Sequence, residues 1–162
     1  MATEIERKFL VKPDEWQQFQ QRSDPTLLSS TRYRQGYIFS SVTKTVRIRI
    51  AGDRGFITIK GPTVGYSRSE FEYSIPLADA EAMLDQLCEP PLIEKTRHKV
   101  AWDNLVWEVD EFAGENQGLM VAEVELSDAN RAITLPDWAG EEVSHDPRYF
   151  NASLAKHPYS RW

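Results

Sequence analysis

The stretch Glu4-Ile5-Glu6-Arg7-Lys8-Phe9-Leu10-Val11 places Glu4, Glu6 and Lys8 at every second position, with Ile5, Arg7 and Phe9 between them. Side chains of a β-strand point to opposite faces with a period of two, so this segment reads as a strand with one fully charged face. The pattern returns along the chain. Arg47 and Arg49 interleave with Val46, Ile48 and Ile50; Thr58 and Lys60 with Ile57 and Ile59; Arg68, Glu70 and Glu72 with Phe71 and Tyr73. Lys95 and Arg97 flank Thr96, Glu108 and Asp110 alternate with Trp107 and Val109, and Glu123 and Glu125 with Ala122, Val124 and Leu126. An eighth stretch, Tyr33 to Phe39, sets Gln35 and Tyr37 in phase.

The plain alternative for any one of these segments is a half-exposed strand, apolar inward and charged outward. The sorting by sign argues against it. Glu4/Glu6, Glu70/Glu72, Glu108/Asp110 and Glu123/Glu125 are acidic pairs, whereas Arg47/Arg49 and Lys95/Arg97 are basic pairs. An outward strand face usually mixes Thr, Ser, Gln and Lys, and like charges on one face repel. A divalent cation between the acidic pairs and a polyanion between the basic pairs would offset that repulsion. An eight-stranded antiparallel barrel has an interior just wide enough for one small ligand. The expected fold is therefore α+β and mainly β: a closed eight-stranded antiparallel barrel with a charged interior. Its apolar faces then point outward, and amphipathic helices cover them, so that the hydrophobic core lies between barrel wall and helices.

The spacing predicts a first helix after Pro13-Asp14, carrying Trp16 and Phe19, and a second that Asp79 caps, carrying Met83, Leu84, Leu87 and Cys88 and ended by Pro90-Pro91. Ser127-Asp128 opens a third, shorter turn, and Asn151 caps a last one through Leu154. With 162 residues and no internal repeat or linker, the expectation is one domain over 1–162. The lone Cys88 has no disulfide partner, and the opening residues, Met1 to Glu6, hold neither an apolar signal segment nor a basic leader, so the expected compartment is the cytoplasm. A net charge of −6 argues against a surface made for nucleic acid or anionic lipid. His98, His145 and His157 lack metal-ligand spacing and read as surface or structural groups.

The opening segment resembles the N-terminal ExExK signature of the CYTH superfamily, the triphosphate tunnel metalloenzymes. Further pieces resemble that family in the same order: Arg34-Gln35-Gly36-Tyr37, Arg47-Ile48-Arg49, Thr58-Ile59-Lys60, Ser67-Arg68, Glu94-Lys95-Thr96-Arg97, Glu108-Val109-Asp110, Glu123-Val124-Glu125 and Arg148-Tyr149 before Asn151. ExExK alone is a weak pattern; the ordered set over residues 4–151 is specific.

The resemblance implies a tunnel of eight antiparallel strands in which Glu4, Glu6, Glu123 and Glu125 hold Mg²⁺ or Mn²⁺, with Asp110 binding metal-bound water or orienting basic residues. It implies a phosphate clamp of Arg47, Arg49, Lys60, Lys95 and Arg97, with Arg68 lining the tunnel. Lys8 and Tyr37 are then placed to orient or activate the attacking water, and Lys8 also to touch substrate; the plain alternative for Tyr37 is a half-buried strand aromatic. Glu70, Glu72, Glu108, Arg148 and Lys156 receive no firm role.

Three functions compete. The first is metal-dependent hydrolysis of inorganic triphosphate, favoured because little sequence is left over to recognise a base. The second is a nucleotide or organic triphosphate enzyme, such as a class IV type adenylate cyclase or a thiamine triphosphatase, with Trp102 to Trp107 as a pocket. The third is a non-catalytic polyphosphate-binding module. Homodimerisation through an exposed apolar strand is left open.

Overall fold

The computed structural model describes residues 3–162; Met1 and Ala2, part of the opening read above, lie outside the described residues. The strands are β1 (Thr3–Val11), β2 (Leu28–Ser40), β3 (Thr45–Ala51), β4 (Arg54–Lys60), β5 (Ser67–Ile75), β6 (Ile93–Trp102), β7 (Leu105–Phe112), β8 (Met120–Glu125) and β9 (Ala139–Glu142). The helices are α1 (Pro13–Arg22), α2 (Leu77–Gln86) and α3 (Asn151–Lys156).

Strand order is β5-β4-β3-β2-β6-β7-β8-β1, and Thr3–Ile5 of β1 return to pair with Ser67–Ser69 of β5, which closes an eight-stranded antiparallel barrel. Strand β1 divides one of its edges: its first residues serve β5, while Phe9 and Val11 pair with the short β9. The other edge runs along β8 from Glu6 to Leu10. Sequence periodicity misses β9 because its four residues, Ala-Gly-Glu-Glu, do not alternate. Hairpins join most neighbours. Between β6 and β7 the two-residue turn is Asp103-Asn104, both at positive φ (50° and 62°), the geometry whose twist matches the flanking strands.

Antiparallel partners share a face of the sheet, so the registers sort the residues. Lys8 faces Glu123, Tyr33 faces Lys95, Gln35 faces Arg49, Tyr37 faces Arg47, Thr58 faces Glu72, Lys60 faces Glu70 and Arg97 faces Asp110. All the charged pairs therefore lie on one face, the inner one, and the alternating apolar residues lie on the other.

The outer face is covered in two places. Trp16 of α1, with Phe19 beside it, packs on Phe9, Val100, Trp107, Val109 and Val124, joined by Trp138. Ala80 and Leu84 of α2, with Cys88 just beyond it, pack on Ile48 and Ile50. Contact at the second site is close enough to require glycine in the wall: a Cβ on Gly36 would lie 2.8 Å from both the Cys88 Cβ and a Leu92 methyl. A third cluster departs from the expected outer core. Leu10, Ile93, Phe112 and Val121 have the inner phase of their strands, and Tyr149 and Leu154 of the C-terminal segment pack against them. The barrel interior is thus charged along most of its length and apolar where α3 stops it.

Two local expectations are corrected, and one holds in part. Asp79 sits in the first turn of α2, after Pro76 and Leu77, and does not cap it. A turn does open at Ser127-Asp128, where the Arg131 amide donates to the Asp128 carbonyl and the Asn130 amide to the Asp128 side chain, but no helix follows it. Asn151 begins α3 but makes no cap bond, since its side chain points elsewhere. Outside, Phe39, Val46, Ile59 and Phe71 form a row of register partners across β2 to β5 that no helix covers, and Phe39 is 46% exposed. Among the described residues no helix is long and apolar enough to cross a membrane.

Candidate active site in the barrel interior

The inner face divides into a cationic and an anionic half. At the centre of the first, the buried Asp110 accepts from Lys95 Nζ at 2.6 Å and from Arg97 Nε at 2.7 Å and Nη2 at 2.8 Å. Burial alone would raise the Asp110 carboxyl, but Arg97 and Lys95 outweigh it and hold the group below the usual aspartate range. Burial pushes Lys95 down to about 7, with Asp110 pulling it up and Arg97 and Arg49 repelling it further. Of the two roles open to Asp110, the geometry displays the orienting one: both carboxylate oxygens are taken up by cations.

Arg49 is different. Among the described residues it makes no ion pair; its Nε donates to the neutral Gln35 Oε1 at 2.7 Å and its guanidinium lies 4.8 Å from the Tyr33 ring centre. Burial, then repulsion from Arg47 and Arg97, bring Arg49 down to about 10. Tyr33 also carries Arg97, at 5.0 Å, and Lys95, at 6.0 Å, on its ring. Arg47 donates through Nη2 to Thr58 at 3.0 Å and to Glu72 at 3.3 Å, and its buried Nε has no partner among the described residues. The other orphaned buried side-chain donors among the described residues are the indoles of Trp16, Trp107 and Trp138, all in the outer core. An unpaired guanidinium and an unfilled buried N–H are what a polyanion would satisfy, and Arg suits bidentate contacts to phosphate oxygens.

In the anionic half, Lys60 donates to both Glu4 oxygens, at 3.1 and 2.9 Å, and lies 3.1 Å from Glu70. Glu123 lies 3.4 Å from both Lys8 and Arg97. Glu6, between Glu4 and Glu123, has no ion pair among the described residues: burial first, then the charges of Glu123 and Glu4, outweigh the pull of Lys8 and Lys60 and push its carboxyl well above the usual glutamate range. Its β8 partner Glu125 is also raised, by burial and by Glu4, Glu70 and Glu108. These four carboxylates fit a hard divalent cation chemically, because oxygen donors crowded to the point of retaining a proton gain most from one. No three His, Cys, Asp or Glu groups among the described residues are already drawn together as a ligand set, since Glu4 is occupied by Lys60 and Glu123 by Lys8 and Arg97.

The remaining residues are placed as follows. Tyr37 is half-buried on the inner face opposite Arg47. Arg68 is spent on the Gly61 carbonyl, at 3.1 and 2.7 Å, in the β4–β5 hairpin. Glu108 pairs with Arg97 at 3.2 Å. Arg148 and Lys156 lie outside, exposed, the first on Asp146 and the second on the Ser40 carbonyl. Trp102 and Trp107 belong to the outer α1 layer, Trp107 fully buried there, so that stretch lines no pocket of the barrel. His98 is structural: it hydrogen-bonds Ser30 at 2.7 Å and packs on Trp16. Sequence reading passed over Tyr33 and Asn151 as interior groups; for Tyr33, the odd phase shared with Gln35 and Tyr37 was the available signal.

The profile of the CYTH domain matches residues 2–159. The chain belongs to the CYTH domain family. Among curated relatives, it is 47% identical over 162 residues to an inorganic triphosphatase of Acetivibrio thermocellus, covering all of this chain and 99% of that protein. It is 39% identical over 159 residues to an inorganic triphosphatase of Nitrosomonas europaea, covering 94% of this chain and 97% of the relative. A solved structure, that of the inorganic triphosphatase NE1496, superposes on this CYTH chain with a TM-score of 0.63 at 36% identity, over 96% of this chain and 95% of that one.

The raised Glu6 carboxyl has a measurable consequence. In cation-free protein it binds a proton more tightly folded than unfolded, so its contribution to stability falls as pH rises from the ordinary 4.5 through the raised folded value. A divalent cation competes with that proton and binds better once it has left. Millimolar Mg²⁺ is expected to raise the melting temperature over EDTA more at pH 8 than at pH 5. Melting curves at the two pH values check this; an equal gain at both would mean that the cation binds elsewhere.

Proposed function

We propose that this CYTH domain, a single unit over residues 1–162, hydrolyses inorganic triphosphate held in the barrel with Mg²⁺ or Mn²⁺. The observation that carries the reading is the pairing of unsatisfied cationic groups, Arg49 and the Arg47 Nε, with a crowded carboxylate set inside one closed barrel. Relatives that share 47% and 39% of their residues with the chain over nearly full length bear the name inorganic triphosphatase, which supports the same substrate here.

In this reading Glu4, Glu6, Glu123 and Glu125 hold the cation, which when bound polarises phosphoryl oxygens and activates water. Arg47, Arg49, Lys95 and Arg97 hold the phosphates and draw charge from the transferring group, which is where electrostatic catalysis acts. Asp110 keeps Lys95 and Arg97 at fixed positions before substrate arrives, so that little reorganisation is needed. Lys60, between Glu4 and Glu70, and Arg68 complete the lining. Lys8, between Glu123 and the Tyr149 carbonyl, and Tyr37, opposite Arg47, orient the attacking water.

A nucleotide enzyme needs an apolar slot for a base. The Trp102–Trp107 stretch does not offer one, and the Tyr33 ring is covered by three cations. A pure polyanion-binding module has no use for carboxylates crowded as Glu6 is. The cytoplasm is the proposed compartment, and the uncovered row Phe39, Val46, Ile59 and Phe71 supports association of two copies.

The test is phosphate release from tripolyphosphate, ATP and thiamine triphosphate, each with Mg²⁺, Mn²⁺ or EDTA, beside a Glu4→Ala/Glu6→Ala variant. Cation-dependent release fastest on tripolyphosphate and lost in the variant is the expected result. Pyrophosphate released from ATP would replace it with the cyclase reading, and tight binding without turnover with the binding module.

A further inference from the structure

Asn151 is the first residue of α3, yet its side chain caps nothing. Its Oδ1 instead accepts from Lys95 Nζ at 2.9 Å and from Gln35 Nε2 at 3.2 Å, while Gln35 Oε1 accepts from Arg49 Nε at 2.7 Å. The direction of this chain is chemically fixed at both ends. Lys and Arg only donate, so Asn151 must turn its oxygen to Lys95, and Gln35 must turn its oxygen to Arg49 and its amide to Asn151. Gln35 is fully buried, and so nearly is Lys95, at 1% exposure, while Asn151 is half-buried. The two preceding residues grip another cation: the Tyr149 carbonyl accepts from Lys8 Nζ at 3.3 Å, and the Phe150 ring centre lies 5.5 Å from it.

We propose that Asn151 is a positioning residue, which anchors Lys95 directly and Arg49 through Gln35, so that the C-terminal segment sets the spacing of the phosphate-binding cations. The inference rests on the hydrolase reading above. A neutral amide suits the task because it orients a lysine without cancelling the charge that phosphate will need. A carboxylate in the same place would orient Lys95 equally well and compete with the substrate. That contrast separates positioning from a role in starting the helix, for which Ser and Asp are both good residues.

Steady-state kinetics on tripolyphosphate with Mg²⁺, and melting temperatures, should be measured for the wild type, Asn151→Ala, Asn151→Ser, Asn151→Asp, Gln35→Ala and Gln35→Ala/Asn151→Ala. Loss of a charge-assisted hydrogen bond predicts a fall of about tenfold in kcat/KM for Asn151→Ala and equally for Asn151→Ser, whose hydroxyl is too short for both donors. Asn151→Asp keeps the acceptor, so kcat stays within about twofold of wild type while KM rises about tenfold from the added negative charge. The double variant should lose less than the product of the two single losses, because both substitutions break the same Asn151–Gln35 link, while exceeding Gln35→Ala alone by the direct loss at Lys95.

Wild-type kinetics in Asn151→Ser, additive losses in the double variant, or losses that follow the melting temperature across the series would each overturn the proposal and leave Asn151 a structural residue. A wild-type protein without turnover would instead overturn the hydrolase reading itself.

Discussion

Glu6→Gln is expected to lower kcat/KM on tripolyphosphate by about 10²–10³ while raising the melting temperature of the cation-free protein at pH 8, a loss and a gain from one atom's change. Glu6 is half-buried on the inner face, has no cationic partner within ion-pairing distance among the described residues, and is crowded by Glu4 and Glu123. Above its raised titration range the folded protein must carry that charge beside two others, and glutamine removes it with almost no change of volume. The same substitution removes a hard oxygen donor from the cation site. Activity and melting curves with EDTA, measured on one preparation, decide the point. A variant that is both inactive and less stable would show that Glu6 is held by favourable contacts and not by tolerated repulsion.

Asp110→Ala is expected to have the largest effect on folding. It strips the carboxylate from Lys95, which is fully buried in its side chain, and leaves Arg97, at 7% side-chain exposure, with only its longer pairs to Glu108 and Glu123, so that Lys95 faces Arg97 and Arg49 without a counter-charge of its own. Removing one member of a buried ion pair typically costs about 3–5 kcal/mol. For a chain of this size each kcal/mol corresponds to roughly 2–4 °C in melting temperature. Since the deficit is one of negative charge among cations, tripolyphosphate should restore more stability to this variant than to the wild type. Glu108→Ala, which removes a half-buried partner of the same arginine, should cost much less, because solvent screens that pair. Urea unfolding with and without tripolyphosphate measures both. Equal costs for the two variants would mean that Arg97 and Lys95 are hydrated in the folded state.

Much of the barrel was legible in advance. The eight strands appear as eight alternating stretches, and β1 in particular follows Glu4-Ile5-Glu6-Arg7-Lys8-Phe9 residue for residue, because a period of two is a local property of the extended backbone. The strand that was missed, β9, has no alternation to read. It exists because β1 leaves an edge open beyond its pairing with β5, and an edge is a tertiary feature.

The site was legible as composition but not as pairing. Arg47/Arg49 and Lys95/Arg97 read as basic strand faces, but nothing local distinguishes Arg49, without a counter-ion among the described residues, from Arg97, ringed by Asp110, Glu108 and Glu123. Asn151 read as a helix cap for good local reasons, since asparagine before an apolar turn is a usual helix start. Only the approach of α3 to β2 and β6 offers its oxygen two better donors, Lys95 and Gln35.

By itself, then, the order of residues determined which side chains share a strand face and that those faces carry sorted charge, since both follow from neighbours two positions apart. Which charges neutralise each other, which carboxyl is left crowded and which end of the barrel is stopped by apolar residues were decided by closure of the sheet. Closure brings together residues far apart in the chain, as in the Glu4–Lys60 pair, 56 residues apart, and at that separation electrostatics depends on register and burial rather than on sequence spacing.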